Sequence, residues 1–196
     1  MEVRDLILQT AFKGFVEHGF DNVSLNELIK RTGLTKGAFY YYFKNKKELL
    51  REIHERYLYQ YVDRSIEELS SVEGTMTQKL ESIADSIIRM HLNVFNEADM
   101  DLNPKKIFLL FQNGTEKDPE LQKREKKRND KIIAILINII KTGKKENEIR
   151  NDVDPAMIAE MISLLVDGVR SKWLISSDEL EPLLKTNLKT FMSLIN

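Results

Sequence analysis

Apolar residues return every three or four positions along almost the whole chain, and this period constrains the fold more than any other feature. No run of alternating β-branched residues stands between turn signals, and the 196 residues include only 8 glycines and 4 prolines. The expectation is an all-α protein. A first helix is predicted from Val3 to His18, with Ile7, Ala11 and Phe15 one turn apart, Leu8 and Phe12 beside them, and Gly19 as its stop. Ser24-Leu25-Asn26-Glu27 reads as a capping box that opens a second helix ending near Arg31, with Gly33 just beyond. Thr35 caps a short third helix to about Phe43. Asn45, with Glu48 three residues on, opens a fourth that runs past Tyr61.

After Ser70 the segments lengthen. One, about Thr77 to Phe95, carries Leu80, Ala84, Ile87 and His91 along one stripe. Pro104 begins a short apolar piece, and Asp118-Pro119 and Asp154-Pro155 each read as an N-cap followed by proline at the first helical position. The helix after Pro119 starts basic and ends apolar nearly all round, from Ile132 to Ile140. The last two, after Pro155 and from about Asp178 to Leu194, carry more apolar surface than one face can bury, which predicts packing against a second copy of the chain, the alternative being that each packs both ways inside the monomer. Ile158, Ile162, Leu165, Val169, Leu184, Leu188 and Phe191 are the candidate interface positions.

Several function classes drop out. With no cysteine there is no disulfide scaffold, Cys-zinc site or thiol catalysis, which fits a reducing, cytoplasmic setting. The N-terminus has no long apolar stretch, and Ile132–Ile140 is too short to span a bilayer, so neither export nor membrane embedding is expected. His18, His54 and His91 form neither HExxH nor a Glu-x-x-His pair, and no metal site or cofactor is expected. "TGKKE" at 142–146 fails as a phosphate loop, with Asn138 in place of the first glycine and Lys145 in place of Ser or Thr. An enzyme is not expected.

The formal net charge of -1 gives no global reason to bind a polyanion, yet Leu28 to Lys47 contains no acid while Lys30, Arg31, Lys36, Lys44, Lys46 and Lys47 fall inside it. Within it stands "GAFYYYFKNKK", residues 37–47. At about 100° per residue, Phe39 and Phe43 share one face, and Tyr41 points away from them beside Gly37. The phenylalanine face holds the helix down, and Gly37, Tyr41 and Lys36 are left for a partner. A capped helix, the turn Thr32-Gly33-Leu34 and this second helix have helix-turn-helix spacing, in which the second helix lies in a major groove of duplex DNA. Glycine at 37 would let DNA approach the backbone. Tyrosine hydroxyls and Lys46 would meet phosphates.

The segment "FDNVSLNELIKRTGLTKGAFYYYFKNKKELL" resembles the N-terminal domain of TetR-type transcriptional regulators, with Gly33, Gly37, Tyr40, Phe43, Lys46 and Leu49 at the family's spacings over roughly residues 3 to 58. The resemblance implies a DNA-binding head, 1–46, and a helical effector-binding and dimerisation domain, 47–196, joined as a homodimer through the last two long helices. By position, it marks Ser24, Thr35, Lys36, Gly37, Tyr40, Tyr41 and Lys46 as contacts to double-stranded DNA, with Tyr40 and Lys46 on phosphate and Lys36 and Tyr41 nearest the bases. It also implies a pocket for a small-molecule effector. Candidate lining residues are Ile87, His91, Phe95, Phe108, Phe111 and Asn138, which suit a largely apolar ligand. The implied function is ligand-released repression from a near-palindromic operator. The alternative is a helix-turn-helix protein without an effector, regulated by a protein partner.

Overall fold

The computed structural model describes residues 2–97 and 102–195, the side chains of 90–97 excepted, and no strand occurs among the described residues. The helices are α1 (Val3–His18), α2 (Leu25–Thr32), α3 (Lys36–Tyr42), α4 (Lys46–His54), α5 (Gln60–Ser70), α6 (Met76–Glu97), α7 (Pro104–Lys117), α8 (Pro119–Lys145), α9 (Pro155–Ile175) and α10 (Leu180–Ile195). A π-helical turn, Glu55–Tyr59, joins α4 to α5, and across it the Gln60 N–H reaches the Glu55 carbonyl five residues back. The caps are those the sequence announces. Ser24, Thr35 and Asn45 each accept from the backbone N–H three residues on, and Asp154 accepts from Ala156 and Met157.

The chain forms two compact units, Met1–Val62 with His91–Glu125 and Asp63–Met90 with Lys126–Asn196. The first has an aromatic centre. Phe12 stacks on Tyr57 with ring centroids 4.3 Å apart and lies 6.2 Å from Phe111, while Ile7, Leu8, Leu28, Phe39, Leu49 and Ile53 close round it, all fully buried. Charged pairs fasten its edges. Arg56 meets Asp5 at 2.8 Å, Arg124 meets Glu55, and Arg51 meets both Asp118 and Glu120. In the second unit, α9 packs along α10, Arg128 holds Asp63 through two hydrogen bonds of 2.9 and 3.0 Å, and Glu148 accepts from the Met76 backbone N–H at 2.7 Å.

Candidate nucleic-acid interface

The geometry of the helix-turn-helix element follows from its caps and its glycines. Ser24 Oγ accepts from Glu27 N–H at 3.2 Å and Thr35 Oγ1 from Ala38 N–H at 3.2 Å, which fixes where α2 and α3 begin. Each hydroxyl still has a hydrogen to donate outward. Between the helices, Gly33 takes φ +70, the left-handed conformation that ends α2 and that other residues adopt only at a cost.

On α3 the split expected from the sequence is present. Phe39 and Phe43 are buried, Tyr41 is 81% exposed, and Tyr40 is exposed beside Lys36. Tyr42 is half-buried, its ring set edge-on to that of Tyr41 at 5.0 Å. Gly37 is exposed, and a Cβ built on it would meet no atom within 4 Å. Nothing within the fold therefore requires glycine there. Around this surface Lys30, Arg31, Lys44 and Lys47 are exposed. The Glu48 carboxylate, the nearest acid in sequence, reaches past the Asn45 cap of α4 and accepts the Lys44 backbone N–H at 2.8 Å. The arrangement is a cationic, aromatic, hydroxyl-bearing surface with one gap, at Gly37, suited to a phosphate backbone and base edges.

Lys46 opens α4 between Lys44 and Lys47. It is half-buried, and its ammonium lies over the Phe20 ring, 4.4 Å from the centroid, with burial pushing its pKa down. Lys44 and Lys47 are the cations beside it that face solvent. The acid-free window contained them, but no sequence rule separated them from Lys46.

A family model described as bacterial regulatory proteins, tetR family, matches residues 7–53, which hold most of α1, all of α2 and α3 and nearly all of α4. Over that segment the chain is similar to the TetR-type regulators. It is 25% identical over 193 residues to the HTH-type transcriptional regulator TtgR of Pseudomonas putida, covering 92% of this chain and 84% of that protein. The fold matches that of a SmeT–triclosan complex with a TM-score of 0.74 at 20% identity, over all of this chain and 93% of the other. It also matches a transcriptional regulator from Saccharomonospora viridis in complex with choline, with a TM-score of 0.71 at 20% identity over 98% and 96% of the two chains.

The rest of the chain distributes the other candidate residues between its two units. Phe111 is buried against Phe12 and His54 in the core of the first unit, and Phe108 is half-buried in the same unit. Ile87 is half-buried in the second unit, and Asn138 is exposed on α8 rather than embedded, because it falls on the polar side of that helix. His91 and Phe95 lie outside the residues whose side chains are described. Of the interface candidates, Ile158, Ile162, Val169, Leu184, Leu188 and Phe191 are buried within the chain's own second unit, and Leu165 is half-buried. They face their own unit, so their apolar character is already used. A different stripe of α9 leaves apolar surface outside: Met157 at 64% exposure, Met161, Leu164 at 62%, then Gly168 and Ile175. At 100° per residue these five positions fall within an arc of about 60°. Among the described residues no cluster of His, Asp and Glu could hold a metal ion, and no helix is long and apolar enough to cross a membrane.

Proposed function

We propose that this regulator is a homodimeric repressor whose α3 enters the major groove of a near-palindromic operator, and that a small, largely apolar ligand in its helical body releases it. Residues 1–46 read the DNA, and residues 47–196 carry the ligand and the dimer contact. The observation that carries the DNA reading is Gly37. Glycine favours a helix less than alanine does, and this one, the second residue of α3, has open space where a side chain would stand. Its benefit must come from something outside the chain. Tyr41 and Lys36 stand beside it for base edges, while Ser24, Thr35, Tyr40, Lys44 and Lys47 ring it for phosphates.

Two structural relatives hold triclosan and choline, by their descriptions, which supports a small-molecule effector here. The second reading, a regulator governed by a protein partner, draws support from one observation. Of the residues expected to wall a pocket, Phe111 is core of the first unit and Asn138 is exposed on α8. For the dimer, the exposed α9 stripe replaces the buried positions as the proposed contact. Selection of bound duplexes from a random-sequence pool, followed by gel shifts, tests the main reading. An enriched palindrome whose affinity falls with Tyr41→Ala supports it, and release by a panel of apolar compounds separates it from the second. A pool with no enrichment refutes operator recognition.

A further inference from the structure

His54 closes α4 with its side chain fully buried. Its two ring nitrogens meet carbonyl oxygens on two different helices. Nδ1 lies 2.8 Å from that of Leu50 in α4, and Nε2 lies 3.2 Å from that of Phe111 in α7. The Phe111 oxygen also accepts from Thr115 Oγ1 at 3.0 Å, so it stands fixed as an acceptor. Gly114 makes the approach possible, because a Cβ there would be 2.6 Å from His54 Cε1. Two aromatic rings set the imidazole plane, Phe111 at 5.0 Å and 83° and Tyr59 at 5.7 Å and 60°.

A neutral imidazole carries one N–H, so it donates to only one of these carbonyls and turns a lone pair toward the other. The imidazolium donates to both. Burial opposes the charge, whereas a second hydrogen bond to the charged form favours it, and here the second acceptor is already in place. The charged groups on the elements packed round the ring are tied to one another: Arg51 to Asp118, Glu52 to Arg4, Glu55 to Arg124, Arg56 to Asp5 and Lys117 to Asp21. Glu125 at the start of α8, half-buried, and the phenols of Tyr57 and Tyr59 complete the titratable set. We propose that His54 is a proton-operated clasp between α4 and α7: with both nitrogens protonated it ties the Leu50 and Phe111 carbonyls together, and loss of one proton near neutral pH releases one of them. Only three residues separate α3 from α4, so the clasp steadies the platform behind α3.

The test is proton–nitrogen NMR of the full-length protein, reading both ring nitrogens from the imidazole carbon protons. The two nitrogens resonate alike in an imidazolium and far apart in a neutral ring. The His54 signals are assigned by their loss in His54→Gln or, should that variant not fold, by elimination with His18→Gln and His91→Gln. In the native protein the ring should titrate about half a pH unit or more above its midpoint in urea. A raised folded-state midpoint adds stability that is full below about pH 6.5 and lost as pH rises through the folded value. The stability gap between the natural protein and His54→Gln, from urea titrations, should therefore shrink between about pH 6.5 and 8.5. Over the same range the α7 amides, corrected for intrinsic exchange rates, should lose hydrogen-exchange protection in the natural protein and keep it in the variant. A native midpoint at or below that in urea, or a gap that does not shrink as pH rises, would overturn the clasp.

Discussion

The imidazole of His54 occupies the space a side chain on Gly114 would need. A Cβ at Gly114 would stand 2.6 Å from His54 Cε1 and 3.0 Å from Nε2, and the ring cannot easily retreat, since its nitrogens lie 2.8 Å from the Leu50 carbonyl and 3.2 Å from that of Phe111. Gly114→Ala gains up to about 1 kcal/mol of helix propensity but forces an overpacked core, at about 1–3 kcal/mol. The net effect should be a lower melting temperature, measured by circular dichroism. A higher one would mean that α4 and α7 can separate without loss.

Gly37 is the opposite case. With no atom within 4 Å of its missing Cβ, Gly37→Ala should leave the fold intact or stabilise it by up to about 1 kcal/mol. DNA affinity should fall at the same time, because the added methyl stands where the duplex approaches. The pair of readings, thermal unfolding up and gel-shift affinity down, separates a partner-facing glycine from a structural one. Unchanged affinity would remove α3 from the interface.

The contrast shows what was legible in the sequence. Ser24, Thr35, Asn45, Asp118 and Asp154 were all readable as caps, because capping is local chemistry between residues two or three apart. The division of α3 into a Phe39–Phe43 side and a Tyr41 side was readable for the same reason, since helical periodicity needs no tertiary knowledge. The direction of a stripe was not. On α9, Ile162 and Leu164 are equally apolar, yet one is buried in its own unit and the other is 62% exposed, and only the packing of α10 decides which. Lys46 likewise could not be told from Lys47 until Phe20, 26 residues away, was placed under it. Nor does any local pattern announce the π-helical turn at Glu55–Tyr59.

Asp118 gives a pH-dependent prediction. Burial pushes its carboxyl up, but the hydrogen bond from Arg51 at 3.0 Å and the backbone N–H groups of Leu121 and Glu120 outweigh burial and hold the pKa below the ordinary carboxylate value. A depressed folded-state pKa stabilises the protein above the unfolded value, about 4, and that contribution is lost as pH falls through the folded one. Asp118→Ala also removes the cap of α8, at about 1–2 kcal/mol. The stability gap between the natural protein and this variant, from urea titrations, should be constant near neutrality and narrow only below about pH 4. A gap that narrows already between pH 7 and 5 would contradict the assignment.

The exposed α9 stripe predicts how the chain assembles. Met157, Met161 and Leu164 present their side chains to solvent, and Gly168 continues the line with no atom within 4 Å of where its Cβ would be. A glycine in mid-helix costs stability, and on an apolar stripe it allows a second helix to approach closely. Leu164→Glu should therefore convert a dimer to a monomer in analytical ultracentrifugation with little change in secondary structure. Gly168→Ala should weaken the dimer although it favours the helix. Ile162→Ala is the control: fully buried within the chain's own unit, it should cost about 2–5 kcal/mol of stability without shifting the monomer–dimer equilibrium at temperatures where it is folded. Should Ile162→Ala dissociate the protein and Leu164→Glu leave it dimeric, the inward-facing positions would be the contact after all, and α9 would have to turn about its axis on assembly.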